Sequence, residues 1–139
     1  MKSSIAIALL TVGTLLGAQA WGATPAPAGA EVYIISPEDG ATVTSPVTVR
    51  FGARGVGVAP AGVTRENTGH HHLIIDSDLP PLDQPIPKDD RHIHFGGGQT
   101  ETRIELKPGK HTLQLLMGDD AHMPHDPPLT SKRITITVQ

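Results

Sequence analysis

Seven of the eight histidines in this chain of 139 residues fall into three short groups. Imidazole is a versatile ligand because its neutral form carries one free lone pair and its charge changes near neutral pH. In the run GHHHLIID, Gly69 to Asp76, an alternating strand turns His70 and His72 to one face and His71 to the other. Two residues apart on one face means about 6–7 Å, close enough for both rings to reach a single ion. His92 and His94, in RHIHFGGG, repeat that spacing. His122 and His125 close the run GDDAHMPHDPP with Met123 between them. If the three groups meet, they can build a three-histidine zinc site with an open position, or a copper site.

A thioether favours copper, since Cu(I) accepts soft sulfur and zinc seldom uses it. Met117 is in phase with Leu113 and Leu115 and is expected in the core, which leaves Met123 as the candidate sulfur ligand. Asp76, Gln99 and Glu101 are candidates to orient rings from behind, because a metal-bound imidazole normally uses its second nitrogen in a hydrogen bond. The expected ligand set is therefore His70, His72, His92, His94, His122, His125 and Met123. His71 shares a face with Leu73 and Ile75 and is expected to pack. Gly96 to Gly98 lacks the lysine and helix of a phosphate loop and suits a close backbone approach.

The elements that must position these groups are strands. Glu31 onward reads EVYII, followed by a Pro-Glu-Asp-Gly turn. Val47, Val49 and Phe51 alternate with Thr48 and Arg50; Ile104 and Leu106 with Arg103 and Glu105; Leu113, Leu115 and Met117 with Thr112 and Gln114. Ile134, Ile136 and Val138 form the last alternating set. Residues 77–91 are proline-rich and must be a structured loop or an edge. The pattern predicts an all-β domain, an antiparallel immunoglobulin-like sandwich of about seven strands. In that topology the connection before His70, the approach to Thr100 and the loop with His122 share one end. His111 starts its strand at the other end and is left out of the site.

Lys2, the apolar run Ile5 to Leu16 and Ala18-Gln19-Ala20 read as a signal peptide spanning residues 1–20. Residues 21–29, WGATPAPAG, read as a flexible linker, and 30–139 as the sandwich domain. Export to the periplasm or secretion follows as an expectation, with no membrane anchor. The chain has no cysteine, which excludes disulfides and thiolate ligands. Its formal charge of −3 carries no basic excess for nucleic acid, and one Trp, one Tyr and two Phe offer little stacking surface.

Taken together, NTGHHHLIID, HFGGGQTE, LKPGKHTLQLLMGD and PPLTSKRITITV resemble a family of small exported bacterial proteins catalogued as a domain of unknown function. The resemblance covers Glu31 to Gln139 and implies no established activity. The opening SPEDGATVTSPVTVRF is similar to the first strands of small periplasmic copper-resistance sandwich proteins, although Trp21 stands where those proteins begin with a copper-binding histidine. The leading expectation is a periplasmic, histidine-rich metal-binding module that handles copper in storage, delivery or tolerance. A structural or interaction domain with a metal-free histidine network is the alternative. A metal-dependent enzyme ranks last, because no nucleophile constellation accompanies the histidines. The protein partner is not specified by any motif.

Overall fold

The computed structural model describes residues 22–139, so the expected signal segment 1–20 and Trp21 lie outside the described residues. The chain folds as β1 (Glu31–Ser36), β2 (Thr42–Val43), β3 (Val47–Arg54), β4 (Gly57–Val58), β5 (Thr68–Ile75), β6 (His92–His94), β7 (Glu101–Ile104), β8 (Gly109–Gly118) and β9 (Ile134–Val138). Alternation of β-branched and polar residues drives these assignments, and prolines, glycines and Asp-Gly pairs separate them. Nine strands replace the expected seven or so because β2 and β4 are two-residue segments that no periodicity can announce.

Two sheets result. One has the order β1-β3-β7; the other has β2-β9-β8-β5-β4, with β6 also paired to β5. Most pairings are antiparallel, while the short β2 and β4 join β9 and β5 in parallel. Val32, Val49, Phe51 and Ile104 from the first sheet meet Leu73, Leu113, Leu115, Met117 and Ile136 from the second, forming the core of an all-β sandwich. Each fully buried aliphatic side chain here contributes about 1.5–3 kcal/mol.

A second, smaller core lies on the outer face of the larger sheet. Ile74 and Leu116 point away from the sandwich interior and are covered by Ile86 and Leu79 of the proline-rich segment. That segment is thus a cover for β5 and β8, and β5 is buried on both faces. Its buried character explains why Gly69 to Ile75 carries no exposed position, the run reaching solvent only at Asp76.

Residues 22–29, expected as a linker, are tied to the loop that follows β8. Ala26 N–H donates to Asp126 O at 2.9 Å and Asp126 N–H to Thr24 O at 2.9 Å. No helix among the described residues is long and apolar enough to cross a membrane.

Candidate metal centre

The site is built from the outer face of β5. Alternation along the strand sends His70, His72 and Ile74 outward, and Gly69, His71, Leu73 and Ile75 toward the sandwich interior. Pairing then sets the neighbours. His72 faces His94 on β6 and Leu116 on β8, and His70 faces Gly118. The loop after β8 folds back over this face and delivers His122.

Four imidazoles therefore converge from three segments. Ring centroids lie 4.8 Å apart for His70 and His72, 5.0 Å for His70 and His94, and 5.0 Å for His70 and His122. His72 and His94 are 5.1 Å apart, and His94 and His122 4.8 Å. One ring nitrogen each from His70, His94 and His122 lies within 4.8 Å of the others, a grouping that could hold a metal ion. The Nε2 atoms of His94 and His122 are 3.1 Å apart. Two nitrogens on one tetrahedral zinc stand about 3.3 Å apart, so this pair has the separation that a shared ion requires. The same distance suits a hydrogen bond between one protonated and one bare nitrogen.

Burial and mutual repulsion hold His70, His72 and His94 toward the neutral form. His70 and His72 are fully buried, and neither nitrogen of either ring has a hydrogen-bond partner. Burial, reinforced by His122 and His94, pushes the pKa of His70 down to about 4. Burial, with His70, His94 and His122 adding to it, takes His72 down to about 3. His94, on the solvent side, is also lowered, first by burial and then by His122 and Lys88. At neutral pH His70 and His72 thus present buried ring nitrogens that no neighbouring group hydrogen-bonds. A buried unpaired polar group costs about 1–3 kcal/mol, and several in one place mark a site built for something else.

The surrounding backbone is shaped for the rings. A β-carbon on Gly118 would stand 3.0 Å from His72 Cε1 and 3.1 Å from Ile86 Cδ1, and one on Gly96 would overlap the His94 ring. The first glycine of the triplet thus makes the close approach expected of it, to a ligand candidate. Asp119 organises the loop that carries His122. Its Oδ1 accepts N–H groups of Ala121 and Met123 at 2.9 Å, and its Oδ2 accepts the Thr24 hydroxyl at 2.6 Å. His122 N–H donates to Asp119 O at 3.0 Å, and His122 sits at φ 66°, a left-handed conformation this tight turn imposes. The Ile86 N–H closes the arrangement by donating to His122 O at 2.9 Å.

The other expected site residues lie elsewhere. His92 turns its Nδ1 to Asp89 Oδ1 at 2.8 Å beyond the cluster. His125 crosses to the interior side of β5, where its Nε2–H donates to Thr68 O at 3.2 Å. Met123 anchors the loop through its backbone, and its side chain borders a surface depression with Asp83, Pro85 and Ala121. Asp76 is at the far end of β5, paired with His111 Nδ1 at 2.7 Å, because strand length separates it from the rings. Glu101 bonds Arg50 across the other sheet at 2.6 Å, and Gln99 Oε1 accepts Gly97 N–H within its own turn. None of these three carboxylate or amide groups orients a ring of the cluster. Asp119 and Gly118 were not foreseen; the Asp in Gly-Asp-Asp, able to accept N–H groups two and four residues on, was the available signal for the first.

His71 and His111 fall where expected. His71 is fully buried against Phe51, with ring centroids 5.3 Å apart. His111 lies at the opposite end, its pKa raised by the hydrogen bond to Asp76.

Comparison with known proteins finds a match over residues 49–139 to a family model described as a domain of unknown function (DUF4399). That span includes every histidine of the cluster. No curated protein and no solved structure matches the chain.

Proposed function

The chain belongs to the DUF4399 family, and from its site we propose that it is a non-catalytic metal-binding module, exported after loss of residues 1–20, that holds copper through His70, His94 and His122 with His72 as a fourth donor. One observation carries this: three chain segments place imidazole nitrogens within 4.8 Å of one another, and the two most buried rings have no other partner. The donor set is all nitrogen and neutral. It disfavours magnesium and calcium, which want oxygen, and suits copper or zinc. Copper is preferred because its affinity for imidazole exceeds that of zinc at equal geometry.

A titration of untagged protein, residues 21–139, with Cu(II), Cu(I) and Zn(II) against calibrated competitors tests the proposal. We expect one equivalent of Cu(II) or Zn(II) bound tighter than about 1 μM, lost when His94 and His122 are both replaced by alanine. Binding of none of the three ions at that level would sink it. A metal-free histidine network is the second candidate, favoured by the 3.1 Å contact between His94 and His122. It requires that His122→Ala lower stability while leaving metal affinity, if any, unchanged.

A further inference from the structure

The interior face of β5 carries a second group of unsatisfied donors. His71 is fully buried, and neither of its nitrogens has a hydrogen-bond partner. Directly opposite it on β8 stands Met117, also fully buried. His125 is 2% exposed. Its Nε2–H donates to Thr68 O at 3.2 Å, so that nitrogen holds the proton and Nδ1 carries the lone pair; Nδ1 is buried and unpartnered. That is the way ligating histidines are held, one nitrogen fixed on a carbonyl and the other presented.

Gly69 shows that the Met117 and His125 side chains converge beside β5. A β-carbon there would lie 2.7 Å from Met117 Cγ and 2.9 Å from His125 Cε1, so both occupy the space a side chain at residue 69 would need. His71 is two residues along the same face. Phe51 closes the group on the sandwich side.

We propose that His71, Met117 and His125 form a second metal site, separate from the outer cluster, for a soft monovalent cation of the Cu(I) class. Two neutral imidazoles and a thioether are soft donors without charge. The surroundings are apolar, and the cost of burying an ion there grows with the square of its charge, so a divalent ion costs about four times as much to place as a monovalent one. β5 thus serves two sites by alternation, a solvent-side nitrogen site and an interior sulfur-containing one.

Ag(I), a redox-inert soft cation, is the probe. In the His94→Ala, His122→Ala double variant, one equivalent of Ag(I) should still bind and shift the methyl resonance of Met117 in 13C-methyl-methionine NMR, leaving that of Met123 in place. Adding Met117→Leu, which conserves volume, should weaken Ag(I) binding at least tenfold. Should the double variant fail to fold, wild-type protein first loaded with one equivalent of Zn(II) gives the same NMR readout. An unmoved Met117 methyl at Ag(I) saturation, or a shift at Met123 instead, overturns the proposal. Because the outer site is removed or filled in both arms, failure here leaves the outer site untouched, and failure there leaves this result readable.

Discussion

Lowering the pH from 7 to 5 should destabilise the metal-free protein steeply. His70 and His71 titrate at about 4 and His72 at about 3 in the folded state, each pushed down chiefly by burial. In the unfolded chain all three titrate near 6.5. The sign follows from linkage. A histidine whose folded pKa is depressed leaves stability intact above about pH 6.5 and erodes it as pH falls toward the folded value, because only the unfolded chain takes up the proton. At pH 5 the folded rings are still neutral, so each contributes a loss of about 2 kcal/mol, and together about 5–6 kcal/mol. That equals much of the stability of an ordinary domain. Urea unfolding followed by far-UV circular dichroism, with metal removed by chelation, measures it. Zn(II) or Cu(II) at a hundred times its dissociation constant should restore about 2.7 kcal/mol at a given pH. A loss below about 1 kcal/mol between pH 7 and 5 would show that the rings protonate inside the fold and would refute the buried, donor-free picture.

Three further outcomes are expected. Asp119→Ala removes the acceptor for two N–H groups and a hydroxyl, and should cost about 2–4 kcal/mol of stability; calorimetry reads that loss, and competitor titration should show metal affinity weakened at least tenfold, with Asp119→Asn intermediate. Gly118→Ala must displace His72 or Ile86 and should destabilise by about 1–3 kcal/mol in urea unfolding while weakening metal binding, whereas an alanine at Gly62, which has open space but a φ of 79°, should leave metal affinity unchanged. The His111–Asp76 pair has the opposite pH dependence to the cluster: its raised pKa gives stability that is complete below about 6.5 and lost as pH rises through the folded value, so Asp76→Asn should flatten the stability profile on the alkaline side.

Much of this organisation is legible in the residues themselves. Period-two alternation marks β3, β8 and β9, and the same rule separates His70 and His72 from His71 before any coordinates are known. Loop order in a sandwich puts His94 and His122 at the same end as β5. What alternation does not carry is the fate of irregular chain. The proline-rich segment has no periodicity, so its role as a cover, through Ile86 on Ile74 and Leu116, could not be read. Spacing also groups His122 with His125, but a left-handed residue at 122 turns the chain so that the two rings pass to opposite faces of β5. Of the nearby acids, Glu101 bonds Arg50 on the neighbouring β3 and Asp76 bonds His111 on β8, so neither orients a ring of the cluster.

The cluster draws on positions 70, 94 and 122, and the three segments do not all meet until β5 has paired with both β6 and β8. An unfolded chain offers only isolated histidines to an ion, with none of the preorganisation. Under the proposed function, ion choice would be exercised at the moment and place of folding, so that the compartment in which the chain folds would select the metal before the affinity ranking of the donors is consulted.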